Sequence, residues 1–216
     1  MTREEFIKVL DRKKYSYKIQ GDNIIVTHKG SVWLESLTSL PPGVEFKNGG
    51  YVYLDALTSI SPGVVFSNEG TVILGSLTSL PPGMEFKNGG GVWLKSLTSL
   101  PPGVEFKNGG DVSLESLTSI PSGVEFRNGG DVDLRALTSL PPGVEFRNGW
   151  YIYLNRLTSL PPGMEFKNGG DVLLRDLIGG YFKDWEGNIK GIKSVRHSLY
   201  SKRLLNLMIS KGVFER

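Results

Sequence analysis

Apolar residues recur with a fixed period along most of this chain. Between residues 31 and 170 a segment of twenty residues occurs seven times, one copy being GVWLKSLTSLPPGVEFKNGG at residues 91–110. A period of this length is typical of a solenoid, in which each repeat forms one coil that stacks on its neighbour. Each copy has six apolar positions, which in that copy are Val92, Leu94, Leu97, Leu100, Val104 and Phe106. One coil cannot bury all six, so the stacked coils must share a continuous core.

The order of apolar and polar residues predicts two short strands in each coil. Val92 with Leu94, and Val104 with Phe106, alternate with polar residues, so both apolar side chains of a pair face inwards. Pro102-Gly103 predicts a type II turn with glycine at the positive φ position. Asn-Gly-Gly at 108–110 predicts the other corner, from residues that tolerate left-handed backbone. We expect the recurring asparagine to be an ordinary turn residue, with a hydrogen-bonded ladder along the corner as the alternative.

The two ends of the chain depart from the repeat and predict caps for the core. Thr2 and Glu5 form a capping box, and Phe6, Val9 and Leu10 give the following helix an apolar face. The segments around Tyr17 and at 23–27 predict a hairpin. We therefore divide the chain into an N-terminal cap (1–30), a repeat solenoid (31–177) and a helical C-terminal cap (178–216), with a helix from about 194 to 211.

Composition and charge limit the function classes. The chain has no cysteine, which excludes disulfides and cysteine-based metal or redox sites. The net charge of +3 is concentrated in residues 181–216, whereas the repeats are close to neutral. The N-terminus has no long apolar run, so we expect neither a signal peptide nor a membrane span, and a cytoplasmic location. His28 and His197 fall in the two caps, and we expect both to be surface residues rather than ligands.

Comparison of the copies with one another identifies a variable surface on the first strand. The first, third and fifth positions of the repeat change in nearly every copy and face outwards. Tryptophan and tyrosine are frequent there, and these residue types dominate interface hot spots. The alternative is that aromatic residues favour strands and stack along a sheet. We define the strip as Trp33, Tyr51, Tyr53, Ile73, Trp93, Asp111, Ser113, Glu115, Asp131, Asp133, Arg135, Trp150, Tyr151 and Tyr153.

The middle of the strip, residues 111–135, is acidic, and its carboxylates are expected to lie close together. Asp111 and Asp131 are expected to lie about 5 Å apart in stacked coils, and such like-charge pairs destabilise a sheet unless something neutralises them. A polar contact zone for a partner is the preferred interpretation. A Ca²⁺ site is the alternative, although no acidic loop motif supports it.

These patterns lead to competing functions. The leading hypothesis is a non-enzymatic scaffold that binds another protein through the strip, with no catalytic residue, metal or cofactor. The second is a carbohydrate-binding or polysaccharide-acting β-helix, with Asp131, Asp133 and Arg135 as acid/base candidates. The third hypothesis is nucleic-acid binding by the basic C-terminal cap, whose candidate residues are Lys190, Lys193, Arg196, Lys202 and Arg203. Ice binding by the Thr38-Ser39 column is disfavoured because that column lies at a bend.

The motif L-T-S-L-P occurs at 37–41 and in most copies to 157–161, with the variants LTSIS at 57–61 and LTSIP at 117–121. It resembles the short leucine-rich repeats of bacterial effector proteins. Over residues 31–177 the full unit resembles tandem "LTSLPPGVEFKNGG" arrays of phage and bacterial hypothetical proteins. The resemblance implies a leucine-rich-repeat-like or β-helix-like all-β solenoid that serves as a binding scaffold, without catalytic residues. Leucine-rich repeats carry Asn or Cys two residues before L-T, and here only Asn155 fits that pattern. A horseshoe and a flatter β-solenoid therefore both remain open.

Overall fold

The repeats form a solenoid of about seven coils in which two sheets enclose one core. The computed structural model describes residues 1–161 and 164–174. Each sheet has eight strands, and all neighbouring strands are parallel except for one antiparallel pair at the N-terminal end of the first sheet. The helix α1 spans Arg3–Arg12. The prediction of a solenoid with parallel strands is confirmed.

The strands are short, and they alternate between the two sheets along the chain. In spatial order the first sheet contains β1 (Tyr17–Gln20), β2 (Asn23–Val26), β4 (Val44–Phe46), β6 (Val65–Phe66), β8 (Glu85–Phe86), β10 (Glu105–Phe106), β12 (Glu125–Phe126) and β14 (Glu145–Phe146). The second sheet contains β3 (Val32–Trp33), β5 (Val52–Tyr53), β7 (Val72–Ile73), β9 (Val92–Trp93), β11 (Val112–Ser113), β13 (Val132–Asp133), β15 (Ile152–Tyr153) and β16 (Val172–Leu173). Each of the first six coils therefore gives one strand to each sheet, and the seventh joins the first sheet through a single bridge between Phe146 and Phe166.

The register places identical residues of successive coils side by side. Val92 pairs with Val112, and Phe106 pairs with Phe126, so each apolar position of the repeat becomes a column through the core. The phenylalanine column shows this most clearly, because its rings stack from Phe46 to Phe166 with centroids 5.2–5.9 Å apart. Each ring buries its faces against its neighbours, which fixes the register of the first sheet.

The N-terminal residues continue the core beyond the first full coil. The capping box of Thr2 and Glu5 is present, and Phe6 and Leu10 of α1 are fully buried in the core. The predicted hairpin is confirmed as β1 paired with β2. The hairpin strand β2 also pairs in parallel with β4, with Ile24 beside Val44, a pairing that the repeat pattern did not predict. Residues 23–30 are thus half a coil in register with the solenoid.

Glycine occurs at two corners of each coil, the Pro-Gly turn and the Asn-Gly-Gly corner, for different physical reasons. The glycine after Pro-Pro has a positive φ, as in Gly103 at 77°, which confirms the predicted turn. The expectation of left-handed backbone at Asn-Gly-Gly is wrong, because none of these glycines has a positive φ within the described residues. Close approach of successive coils explains most of them instead, and Glu69 replaces the first of the two glycines in one coil. A Cβ on Gly109 would lie 2.2 Å from the carbonyl oxygen of Gly89.

The recurring asparagine is buried and forms the ladder that the sequence analysis held as the alternative. Its exposed fraction is at most 3% in all seven copies from Asn48 to Asn168. The Nδ2 of Asn68 donates to the carbonyl of Gly70 in its own coil and to that of Gly50 in the preceding coil, both at 2.9 Å. Each amide therefore ties two coils together through the backbone, which an ordinary turn residue does not do.

Residues 178–216, and with them the predicted C-terminal cap and its basic residues, lie outside the described residues. The beginning of an eighth coil at 171–174 is described and contains β16. In the part of the chain that the structure describes, no helix is long and apolar enough to span a bilayer.

Candidate functional site

The strip occupies the outer face of the second sheet. Parallel pairing places its third-position residues in one row across the strands, in the order Trp33, Tyr53, Ile73, Trp93, Ser113, Asp133, Tyr153 and Leu173. The alternating inward residues, such as Val92 and Leu94, are fully buried. The structure thus brings the third-position residues of the strip into one row on a single face.

The N-terminal part of the strip is an aromatic ladder. The rings of Trp33 and Tyr53 are stacked, with centroids 3.7 Å apart and planes within 8°. Tyr51 is 45% exposed and its ring centroid lies 5.9 Å from that of Tyr53. Ile73 lies in the same row but is only 8% exposed, so it offers little surface to a partner. It is paired between Tyr53 and Trp93.

Trp93 lies beside Gly91, and the ammonium group of Lys95 lies over its ring. A Cβ on Gly91 would lie 3.1 Å from the carbonyl oxygen of Asp111, and 3.4 Å from the Trp93 Nε1, which is ordinary contact. The Lys95 Nζ stands 5.5 Å from the ring centroid and 3.7 Å from a carboxylate oxygen of Glu115. Ser113 donates a hydrogen bond to the same oxygen at 3.1 Å. Lys95 therefore contacts both the ring of Trp93 and the carboxylate of Glu115 on this face.

The aspartates of the acidic middle act as hydrogen-bond acceptors for the next coil. Asp111 Oδ1 accepts from the backbone N–H of Asp131 at 2.8 Å, and Asp131 Oδ1 accepts from that of Tyr151 at 2.9 Å. Ser31 and Thr71 perform the same role for the coils that follow them. Each of these two aspartates therefore has a hydrogen-bond donor within the chain, the backbone N–H of the following coil. The short acceptor side chains shared by these positions are the signal that sequence reasoning overlooked.

Asp133 and Arg135 form an ion pair on the same face. The Arg135 Nε donates to both carboxylate oxygens of Asp133 at 2.9 Å, and its NH2 group also contacts Oδ2. This hydrogen bonding raises the pKa of Arg135 above its ordinary value. Both oxygens of the Asp133 acid/base candidate are therefore engaged by a permanent cation. Among the described residues, no group of three His, Cys, Asp or Glu side chains is placed to hold a metal ion.

A second aromatic group stands at the C-terminal end of the strip. Trp150 is 59% exposed, the largest exposed fraction of any large apolar residue among those described. Its ring lies edge-on to that of Tyr151, with centroids 6.2 Å apart. The Tyr153 hydroxyl contacts Asp131 Oδ2 at 3.4 Å. Burial, together with the negative charge of Asp131, raises the pKa of Tyr153 above 10.0.

This contact predicts the titration of Tyr153. In Asp131→Asn we expect the pKa of Tyr153 to fall partway towards 10.0, because the charge is removed while burial remains. The Cζ chemical shift of labelled tyrosine, assigned with Tyr153→Phe, measures it. Since the folded pKa is the higher one, this contribution to stability is complete below pH 10 and is lost as the pH rises through the folded pKa. An unchanged Tyr153 titration in Asp131→Asn would mean that the carboxylate does not act on the phenol.

The outer face of the first sheet differs from the strip in its charges. There, glutamate and a cation two residues later pair within each coil, as Glu45 does with Lys47 at 3.0 Å. The hydrogen bond from Lys87 lowers the pKa of Glu85. Val65 and Ser67 interrupt these paired columns in one coil. This face is electrically balanced, as the sequence analysis expected of a solvated surface.

Comparison with known proteins gives no matching family model, no similar curated protein and no similar solved structure.

Proposed function

We propose that this protein is a non-enzymatic scaffold that binds another protein through the strip. The observation that carries the proposal is the concentration of exposed aromatic side chains on one face: Trp33, Tyr51, Trp93 and Trp150 are each 41–59% exposed there. Monomeric proteins rarely expose such groups together unless a partner covers them. Tryptophan and tyrosine also supply most of the binding energy in protein interfaces.

The division of the repeat between constant and variable positions supports the same proposal. Core, turn and ladder positions recur with little change because every coil must stack on the next. The outward positions of the second sheet carry almost all of the variation between coils. A solenoid that binds along one face has this combination of a uniform frame and an individual surface.

A polysaccharide-acting enzyme is less well supported by the contacts of the strip. Asp133 is held by Arg135, and both oxygens of Asp131 accept hydrogen bonds within the chain. Sugar rings pack on the faces of aromatic rings, whereas Trp33 and Tyr53 cover each other's faces. For nucleic-acid binding, the candidate residues of the basic C-terminal cap lie outside the described residues, and that alternative stays a prediction.

We further propose that α1 and the β1–β2 hairpin cap the N-terminal end of the core. The Tyr15 hydroxyl accepts the backbone N–H of Trp33 at 2.8 Å, which occupies a donor on the edge strand β3. An unprotected edge of this kind invites pairing with another chain. We also retain the likeness to leucine-rich repeats at the level of the L-T-S-L-P motif. The two parallel sheets of similar size favour the flatter β-solenoid over the horseshoe.

Loss of binding in a double variant of the strip tests the proposed function. We expect Trp33→Ala with Trp93→Ala to weaken the complex with the native partner at least about tenfold, because both rings are interface hot-spot candidates. The partner is recovered by co-purification from the source cells, and its affinity for the purified protein is then measured by calorimetry.

The control is Lys47→Ala with Lys87→Ala, which alters the opposite face and should leave that affinity unchanged. Circular dichroism verifies that all variants fold. Equal affinity of the strip variant and the wild type would exclude the strip as the binding face.

A further inference from the structure

Trp150 occupies a corner position that every other described coil gives to glycine. The equivalent residues are Gly50, Gly70, Gly90, Gly110, Gly130 and Gly170. A Cβ at Gly130 would lie 2.7 Å from the backbone nitrogen of Asp111 and still closer to its Oδ1. Such contacts are incompatible with an undistorted corner, so the frame disfavours any side chain at this position.

In most described coils the corner N–H donates to the equivalent carbonyl of the preceding coil, as Gly130 does to Gly110 at 3.2 Å and Gly170 to Trp150 at 3.1 Å. The N–H groups of Gly50 and Trp150 do not make this bond. At residue 150 a large, exposed apolar side chain has replaced the glycine that the other described coils keep. Departures of this kind from a local rule are expected at functional sites.

Trp150 belongs to the strip, whose described residues are rich in acids. A Cβ at the Gly130 corner would lie close to Asp111, and Asp131 is the equivalent residue of the coil that ends at Trp150. Within residues 31–174, the first, third and fifth positions of the repeat carry an excess of acids over the cations Lys95 and Arg135. Their carboxylates are Glu35, Asp55, Asp111, Glu115, Asp131, Asp133 and Asp171. Lys95 and Arg135 are both paired with acids of the same face.

Near Trp93, the same face already combines a tryptophan ring, a cation and a carboxylate. At Trp93 the chain itself supplies the cation, because Lys95 lies between the indole and the carboxylate of Glu115. At the other end, tryptophan and carboxylate are present, but none of the described cations of the chain stands over the Trp150 ring. An indole beside an acid attracts a cation through both the ring quadrupole and the charge.

We propose that Trp150, with Tyr151 and Asp131, is the anchoring site for an arginine or lysine side chain of the protein partner. This inference rests on the proposed function and names the chemistry of its partner: a segment carrying exposed cations, drawn to the acidic strip and fixed at Trp150. The balanced charges of the opposite face make that face a poor competitor.

The variant Trp150→Gly tests the site without endangering the fold, because it restores the residue of the other coils. The probe is a fluorescein-labelled nona-arginine peptide, and its affinity is measured by fluorescence anisotropy at 150 mM NaCl. We expect Trp150→Gly to weaken binding about 5- to 30-fold, the range of a cation–π contact of about 1–2 kcal/mol. Trp150→Phe should retain part of the affinity. A rise in the thermal midpoint of Trp150→Gly would show that the corner has recovered.

Two controls separate this site from general attraction between charges. A nona-citrulline peptide has the shape of the probe without its charge and should not bind. Glu145→Gln removes one acid from the opposite face and should leave the affinity of nona-arginine unchanged. Equal binding of nona-arginine by Trp150→Gly and the wild type would overturn the assignment, as would equal binding of the two peptides by the wild type.

The outcome is also distinguishable from a failure of the proposed function. If the Trp33 and Trp93 variant loses the native partner while Trp150→Gly binds nona-arginine like the wild type, the strip stands and the anchoring site is refuted. If Trp150→Gly loses nona-arginine while the strip variant keeps its native partner, the cation site stands and the wider strip is refuted.

Discussion

Asn108→Asp is expected to lower the free energy of unfolding by about 3–5 kcal/mol at pH 7, the cost of an uncompensated buried charge. The Asn108 Nδ2 donates to the carbonyls of Gly90, Gly110 and Asp111 at 3.1, 2.9 and 3.3 Å. A carboxylate has nearly the same shape but no donor, so it would place a negative oxygen against three carbonyl oxygens. Urea unfolding followed by tryptophan fluorescence measures the effect.

The pH dependence of this variant identifies the cause. Burial and the carbonyl oxygens raise the pKa of the new carboxyl in the folded state above its unfolded value of about 3.9. A raised folded pKa means that stability is lost as the pH rises through it, so the defect should shrink on acidification towards pH 4. Asn155→Asp, on the outward face, is the matched control and should cost little. A defect of equal size at pH 4 and 7 would contradict an electrostatic origin.

Gly109→Ala is expected to cost about 3 kcal/mol, at the upper end of the range for overpacking. The added Cβ would meet the Gly89 carbonyl oxygen at 2.2 Å and its carbonyl carbon at 3.0 Å. Both are backbone atoms, which no rotamer change can move. Relief requires separating two coils, and that weakens the strand pairs on either side of the corner. The urea midpoint of the variant measures the loss.

Gly123→Ala tests the second reason for glycine, its backbone conformation, in the absence of a close contact. Gly123 has φ of +77°, but a Cβ there would meet nothing within 4 Å. Only the strain of left-handed backbone remains, and we expect it to cost about 1 kcal/mol. If the two variants were destabilised equally, the tight contact at Asn-Gly-Gly would not be the reason for its glycines.

These two variants also explain where the protein can vary. Corner and core positions contact the same position of the neighbouring coil, so a change in one coil disturbs the next. The outward positions of the second sheet contact neighbours mainly through flexible side chains, as Lys95 does with Glu115. Individual residues can therefore differ there from coil to coil at little cost to the fold. Glu69 and Trp150 are exceptions, because each stands at a corner position that is glycine in the other described coils.

The sequence by itself determined the repeat, the two strands of each coil, the Pro-Gly turn, the N-terminal helix and hairpin, and the face on which the strip lies. Each of these follows from local rules: apolar periodicity, turn chemistry and capping. The paired glutamate and lysine columns were also predictable, because residues two apart on a strand share a face.

Only the tertiary structure decided the features that depend on contacts between coils. The sequence alone cannot show that Asn108 is buried, because asparagine is usually exposed. It is buried here because the neighbouring coils bring carbonyls to its amide. The stacking also assigns Asp111 and Asp131 to backbone N–H groups and buries Ile73. These partners lie about twenty residues away along the chain, and a distance of a few ångströms between them exists only after the coils stack.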